Sequence, residues 1–383
     1  MVKKIEIRPI ENKRDLQSFL KVTDYVYSES DNWCKPINIE RRIALSKNQP
    51  IFEHLIWSGW VGYIDGIPSG RITAQIDNLF KGDGESKTGF IGFFEAVDNA
   101  LLIRKLFSAA EAWLEKRSVK KVVGPFSFNI NQEVGLLLEG FDTPPYIMMP
   151  NGKKYYKTAF EKNGYAKSMD TYSFDIAAKF EPPPLMQKLI KKLPDDLQVR
   201  ALDKKRVKEE LSVLCDIFND AWSDNWGFIP FTHREFQHLG SEMLKIIPTN
   251  FIQIAELDRK PVAFIALIPN INPIIHSLNG KLLPFGWLKL LLNLKWKYPS
   301  QARIPLMGVR KKYHDTKLGP GLALKVVDSL RKPGISKGVE TVEMSWILEN
   351  NSAMRNIIKI LGGVRTKTYR IFEKNLVKDD EII

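Results

Sequence analysis

The feature that most constrains this chain is an order of elements that occurs twice, once on each side of a break. The break is "AAKFEPPPLMQKLIKKLPDD", Ala177 to Asp196, with three consecutive prolines at Pro182 to Pro184. Proline lacks the N–H that a helix interior or a sheet ladder requires, so neither runs through this stretch. With 383 residues, the chain is long enough to bury a separate core on either side.

Before the break, "KKIEIRPI" reads as a strand and "ENKRDLQSFLKVTDYVYS" as an amphipathic helix. "WSGWVGYIDGIPSGRITAQID" is a hairpin turning at Asp65-Gly66. A strand "GFIGFFEAV", a helix "ALLIRKLFSAAEAWLEKR", a buried strand "KKVVGPF", a short helix "YYKTAFEKNGY" and a strand "MDTYSFDI" follow. After the break come the helix "VKEELSVLCDIFNDAWSD" and the hairpin "FIQIAELDRKPVAFIALIP", turning at Asp258-Arg259. Then the strand "ARIPLMGV", the helix "GPGLALKVVDSLRKPG", the strand "VETVEMSWI", the helix "NNSAMRNIIKILGG" and the strand "TKTYRIFEK" complete the order. Each half ends in a helix, a stopping glycine and a strand carrying Tyr172 or Tyr369. The expected domains are 1–178 and 198–383, joined by a linker at 179–197, with an insertion at 276–300 in the second.

Composition narrows the function. A formal charge of +13 favours anionic partners: phosphorylated cofactors, acidic lipid headgroups or nucleic acid. Nucleic acid is not expected, because the basic residues are scattered and no zinc-finger or RNP-like pattern occurs. Cys34 and Cys215 are too few for a disulfide framework or a metal site, and His233 and His238 lack the i, i+4 spacing of a ligand pair. No metal is expected. The N-terminal "MVKKIEIRPIENKRD" has no apolar signal core, and no run reaches the roughly 20 apolar residues of a membrane span. The expected location is the cytoplasm, at most peripheral to the cytoplasmic membrane face.

The insertion is the exception to an otherwise ordinary surface. "GKLLPFGWLKLLLNLKWKYPS" is crowded with Leu and Trp and carries four Lys. As a helix from Pro284 to Lys297 it sets Lys289, Asn293 and Lys297 in one narrow polar stripe. Trp287, Leu291 and Trp296 then lie on the apolar surround, as in a helix lying in a membrane interface. Peripheral membrane contact through 281–297 is the expectation; burial against the rest of the fold is the other reading.

The succession of elements resembles the GNAT acyltransferase fold. The resemblance implies an α/β (α+β) architecture of tandem GNAT-like domains, each a mixed twisted sheet flanked by helices. In that fold two central parallel strands splay to admit the arm of an acyl-CoA, and the helix after the fourth strand presents N–H groups to its pyrophosphate. The second half offers "VRKKYHDTKLGPGLALKVV" there. Val309 and Tyr313 match the lead-in, Gly319 and Gly321 open the helix, and Lys311, Lys312 and Lys317 add positive charge. His314, Asp315 and Lys317 stand where the family has Arg or Gly. The first half has "EAVDNALLIRK" instead, with no glycine loop.

"GFIGFFEAVDN", "AEAWL", "GPFSFNINQEVGLLLEGFDTPPYIMMP", "YYKTAFEKNGYAKSMDTYSF" and "NGKLLPFGWLKLLL" are more specifically similar to the bacterial ceramide synthase-like family of GNAT-fold proteins. That similarity implies acyl-CoA as co-substrate and a long-chain amine as acceptor, a sphingoid base such as 3-oxosphinganine. A GNAT enzyme for an amino acid or small amine, and an acyl-CoA-binding protein without catalysis, are the alternatives.

Amide formation from a thioester needs the amine deprotonated and the oxyanion stabilised. Glu95 is the expected base: it ends an otherwise apolar strand, where desolvation raises a carboxylate's pKa. Asn131 and Glu133, two apart on an extended segment, point the same way and are expected to orient an amine or hydroxyl, or else to cap their loop. Tyr155 and Tyr156 precede the helix that in this fold carries a general-acid Tyr; Phe160 holds the usual position, and aromatic packing is their other fate. Glu343, Trp346 and Asn350 read as ordinary strand alternation.

Overall fold

The computed structural model describes residues 3–28, 32–82, 84 and 86–376. The chain forms two compact units, Met1–Thr171 with Ile275–Leu282 and Lys367–Ile383, and Tyr172–Ile274 with Leu283–Thr366. Elements run in the order β1 (Ile5–Pro9), α1 (Lys13–Val26), α2 (Asn38–Ala44), β2 (Leu55–Ile64), β3 (Ile67–Asp77), β4 (Thr88–Ala96), α3 (Ala100–Glu115), β5 (Lys121–Gly124), β6 (Leu136–Glu139), α4 (Tyr156–Lys162) and β7 (Ala166–Ala177). They continue with α5 (Pro184–Ile190), β8 (Gln198–Ala201), α6 (Val207–Trp222), α7 (His233–Met243), β9 (Ile252–Leu257), β10 (Lys260–Pro269), α8 (Asn272–His276) and α9 (Gly286–Trp296). The last are β11 (Gln301–Val309), α10 (Gly319–Ser336), β12 (Thr341–Leu348), α11 (Ser352–Ile360) and β13 (Val364–Asn375).

In the first unit the strand order is β1-β2-β3-β4-β5-β13, with β6 also paired to β13. The hairpin β2–β3 turns on Asp65 and Gly66, both at positive φ (51° and 82°), the geometry that a two-residue turn demands. Helix α1 starts in a capping box, with Asn12 and Asp15 each satisfying the other's backbone N–H, and buries Phe19, Val22 and Val26. Helix α3 buries Leu102, Ile103, Leu106, Phe107, Ala110 and Leu114. Each large apolar side chain so covered is worth about 1.5–3 kcal/mol. Phe160 meets Phe107 edge to face and Phe372 at a tilt, with centroids 5.0 Å apart in each contact, which ties β13 through α4 to α3.

The second unit has the order β12-β11-β10-β9-β8. Its hairpin β9–β10 turns on Asp258 and Arg259, at φ 51° and 59°. Helix α10 packs on β9 and β10 and buries Leu322, Leu324, Val326 and Leu330. Helix α7 opens with a second capping box, Thr232 with Glu235.

These units differ from the boundaries expected in chain order. Lys367 onward completes the first unit, while Tyr172–Ala177 of β7 falls in the second, so each unit closes on a strand end from the other half of the sequence. The stretch 179–197 expected as a linker carries α5, which buries Met186 and lays the Leu189 carbonyl 3.0 Å from where a Cβ on Gly321 would sit. The expected insertion at 276–300 is also divided, its residues to Leu282 joining the first unit and those from Leu283 the second.

Gly92 lies where β4 leaves β5. A Cβ there would fall 1.5 Å from the Phe126 carbonyl oxygen, a collision of backbone with side chain that no rotamer relieves. Gly92→Ala is therefore expected to cost at least about 2 kcal/mol of stability, read as a lowered urea midpoint. An unchanged midpoint would mean the two backbones do not touch.

Candidate active site

In the first unit, β4 and β5 pair in parallel only over Thr88–Phe90 and Lys121–Val123, with one further bond from Phe126 N–H to the Ile91 carbonyl (2.8 Å). Beyond it β4 runs on to Ala96 with β3 as its neighbour. A bulge lies in this stretch: Arg71 pairs with Glu95 and Thr73 with Gly92, so Ile72 alone faces Phe93 and Phe94, and Phe93 takes φ 46°. Bulges re-aim the residues that follow them, here Glu95.

Two tyrosines fill the space left at the end of β4. The Tyr155 hydroxyl donates to the Ala96 carbonyl (2.6 Å), and the Tyr156 oxygen accepts the Ala96 N–H (3.0 Å). Tyr156, fully buried, donates its own proton to Glu95 Oε2 (2.7 Å), and Tyr27 donates to Glu95 Oε1 (3.1 Å). Glu95 thus has both carboxylate oxygens held by phenols. Burial raises its pKa, opposed by the Arg71 charge across the hairpin and by the two phenol hydrogen bonds. Burial, and after it the neighbouring Glu95 charge, pushes Tyr27 and Tyr156 well above the usual phenol range. Of the expected fates the structure shows the packing: the rings meet edge to face, 5.0 Å apart, and the hydroxyls bond to Glu95 and Ala96. Both hydroxyl protons are engaged, that of Tyr156 by the Glu95 carboxylate and that of Tyr155 by the Ala96 carbonyl.

Glu133 stands in a contrasting environment. It is ion-paired with Arg41 and accepts from the Ser127 hydroxyl (3.3 Å). Burial alone would raise its pKa, but the Arg41 charge and hydrogen bond, with Ser127, carry it below the usual value. The charges of Glu95 and Glu133 act on each other, so one site holds a carboxylate pushed up and another pulled down. Burial thus outweighs its opposing charges at Glu95, while Arg41 and Ser127 outweigh burial at Glu133. The backbone N–H of Asn131 donates to Asn129 Oδ1 (3.0 Å), so the side chain that caps this turn is that of Asn129.

Sequence reasoning missed the groups that hold the 127–133 loop. Asp77 accepts from Asn129 Nδ2 (3.0 Å) and the Leu79 N–H (3.0 Å) and lies 2.8 Å from His54 Nδ1. Gln75 Nε2 donates to the Phe126 and Phe128 carbonyls (3.1 Å each). The signal was present as Thr73, Gln75 and Asp77, three polar residues on one face of a strand, all buried.

In the second unit β11 and β12 pair from Gln301–Ile304 and Thr341–Met344, and both strands continue past the last rung. The cleft between them is lined by Trp222, Ile304, Met307, Ser345, Trp346 and Met354, among others. Trp222 Nε1 donates to the Met307 carbonyl (3.0 Å), and His314 Nε2 donates to that of Val309 (2.7 Å). Where α3 is capped by the Asn99 side chain, α10 has no side-chain cap. Gly319 is needed there for close approach: a Cβ would fall 2.4 Å from the Tyr313 carbonyl oxygen. Of the three expected phosphate-side lysines, Lys311 is paired with Asp224 (2.6 Å), Lys312 lies over the Tyr313 ring (4.9 Å) and Lys317 is exposed. Glu343 departs from plain strand alternation. It is wholly buried beside Arg303 and Ser345.

Helix α9 buries none of its residues. Phe285 and Trp296 are 74% and 73% exposed, and Trp287, Leu288 and Leu291 are exposed as well. Lys289, Lys295 and Lys297 are also exposed. No described helix is long and apolar enough to cross a membrane, and no metal-binding group of side chains occurs among the described residues.

No family model matches the chain. Protein YghO of Escherichia coli K12 is 42% identical over 97% of the chain and 95% of its own length. The bacterial ceramide synthase of Caulobacter vibrioides is 38% identical over 97% of the chain and 98% of its own length. Among solved structures, a tandem GNAT protein from the clavulanic acid biosynthesis pathway is similar over 98% of the chain and 100% of its own, with TM-score 0.56 and 11% identity. A GCN5-related N-acetyltransferase from Sphaerobacter thermophilus covers 98% and 96%, with TM-score 0.54 and 12% identity. At such low identity these two structures speak for the fold.

Proposed function

The chain belongs to the bacterial ceramide synthase family of GNAT-fold acyltransferases, and from that premise we propose that it moves a long-chain fatty acyl group from acyl-CoA to the amine of a sphingoid base, with 3-oxosphinganine the first acceptor to test. The observation that carries the chemistry is Glu95, a carboxylate raised by burial and held on both oxygens by phenols at the open end of β4. In this reading the acceptor arrives as an ammonium, and Glu95 takes one of its protons, directly or through a water. The neutral amine then attacks the thioester carbon. A C–N bond forms, the C–S bond breaks, and the CoA sulfur leaves as thiolate and takes up a proton. Tyr27, Tyr155 and Tyr156 keep the carboxylate in place, while Glu133 and Asn131 order the adjoining loop.

Within the second unit taken by itself, the opening of α10, an uncapped N-terminus beside Val309, Lys311, Lys312, Tyr313, Lys317, Gly319 and Gly321, suits the phosphates of an acyl-CoA. The exposed Trp287, Lys289, Leu291, Trp296 and Lys297 of the α9 region are assigned to the membrane surface from which a two-tailed product and its long-chain precursor must be exchanged.

The test is to incubate purified protein with palmitoyl-CoA and 3-oxosphinganine or sphinganine in mixed micelles, following amide by mass spectrometry and free thiol by colour. One thiol released per amide is expected. Binding of palmitoyl-CoA with no amide from either base would reject the acceptor, and acylation of an amino acid or glucosamine instead would replace it.

A further inference from the structure

Arg71 stands beside Glu95 with hydrogen-bonding capacity that the reaction scheme above does not use. The two are register partners across β3 and β4. Their side chains therefore leave the sheet on one face, with Cβ atoms about 5 Å apart. Their charges act on each other, yet among the described residues Arg71 forms no ion pair and makes a single hydrogen bond, from Nη1 to the Phe19 carbonyl (3.3 Å). Its guanidinium carbon lies 5.0 Å from the centre of the Phe19 ring, and its Nε is buried with no partner. A guanidinium is a fork of N–H donors, and donors left unmade away from water are unfavourable. Burial accordingly lowers the Arg71 pKa, with the Glu95 charge opposing it.

The same face of β3 continues with Thr73 and Gln75, both wholly buried, and Thr73 Oγ1 and Gln75 Oε1 are without partners too. Phe19 covers the Arg71 end of this row, and Phe93 joins it ring to ring with Phe128, whose carbonyl takes the Gln75 amide. Hydrogen-bonding atoms thus lie unpaired in aromatic surroundings, next to the base. Charge decides what suits them. Arg71 and Arg41 are offset by Glu95 and Glu133, each acting on the others, and Glu40 stands beside Arg41. A full anion gains nothing from that balance, whereas a neutral carbonyl or hydroxyl oxygen still gains a charge-assisted bond from the guanidinium.

We propose that Arg71 is a specificity-determining residue: while Glu95 meets the acceptor's amine, Arg71 donates to a neutral oxygen on the neighbouring carbon. The ligand class is a long-chain 2-amino alcohol or 2-amino ketone, as against a plain long-chain amine. That the ligand is an amine rests on the acyltransfer reading. The demand for an adjacent oxygen rests on the guanidinium and carboxylate sharing one rung.

Binding of the acceptor alone is measured by calorimetry on the whole protein, with detergent-dispersed sphinganine, 3-oxosphinganine and octadecylamine. Octadecylamine has the chain and the amine but no oxygen. The unmutated protein is expected to bind the two oxygenated bases about 10–100-fold more tightly than octadecylamine, the scale of a hydrogen bond from a charged donor. Arg71→Met keeps most of the side chain's length and loses its donors. It is expected to weaken both oxygenated bases until that difference is gone and to leave octadecylamine within about threefold. Arg71→Lys, which keeps a charged donor, is expected to restore part of the difference. The comparison among ligands on the unmutated protein holds whether or not the methionine variant folds. Equal affinity for all three ligands, no binding of any, or an equal loss of all three in folded Arg71→Met would overturn the proposal. Amide formation with palmitoyl-CoA is scored separately. Discrimination in binding without amide rejects the acyltransfer reading and keeps the role of Arg71, and amide without discrimination does the reverse.

Discussion

Glu95→Gln is expected to lower turnover by about 10²–10⁴-fold, the span a general base contributes, with acyl-CoA affinity nearly unchanged. Glutamine keeps the volume of the side chain and can still meet Tyr27 and Tyr156, whose hydroxyls are able to accept as well as donate. What it loses is the capacity to take a proton. The expected pH profile follows from the direction of the shift. Burial raises the Glu95 pKa above the ordinary carboxylate value, and a base works only when ionised. Turnover should therefore climb as pH rises through that elevated value and level off above it. The glutamine variant should show no such limb. Turnover within threefold of the unmutated enzyme, measured on protein with an unchanged circular dichroism spectrum, would clear Glu95 of the role.

Several parts of this site could be read before any fold was known, and the reason is locality. Asp65-Gly66 and Asp258-Arg259 announce their hairpins because a two-residue turn imposes positive φ on its own residues. Glu95 was legible as a lone carboxylate closing an apolar strand, since desolvation there follows from its immediate neighbours. Its partners were not. Tyr27 lies 68 residues away, and Arg41 reaches Glu133 over 92, so each pairing is decided by how the sheet and α1 and α2 come together. The same holds for Glu343, which reads as one more alternating residue until Arg303 is seen across the parallel rung.

The closing strands illustrate the limit in another way. "MDTYSFDI" and "TKTYRIFEK" were correctly read as strands, because alternation is a property of the segment itself. Which sheet each completes is a property of the open edges, and a sequence order of helix, glycine and strand is satisfied by either choice. Phe372 meeting Phe160, and Arg370 gripping Asp170 with two bonds (2.8 and 3.0 Å), fix the end of β13 in the first unit. Those contacts span some two hundred residues of sequence and carry no local signature.

Replacing Phe285 and Trp296 together by Ser is expected to lower partition onto anionic vesicles by at least about 100-fold. Both side chains are nearly three-quarters exposed at the two ends of a helix that buries nothing. Each would contribute about 1.5–3 kcal/mol on entering the apolar layer, so two together account for a hundredfold or more. The lysines act in a second and separable way. Lys289, Lys295 and Lys297 add about 1 kcal/mol apiece near an acidic surface, a contribution that salt screens within a Debye length. Changing all three to Gln should thus abolish the preference for phosphatidylglycerol over phosphatidylcholine while leaving some salt-insensitive binding, whereas the Phe285 and Trp296 changes should weaken binding to both lipids. Because no helix residue is buried, neither set should lower the melting temperature by more than a degree or two, and turnover on a short-chain acceptor in detergent should persist. Vesicle flotation that is equal for all three proteins would mean that α9 faces something other than lipid.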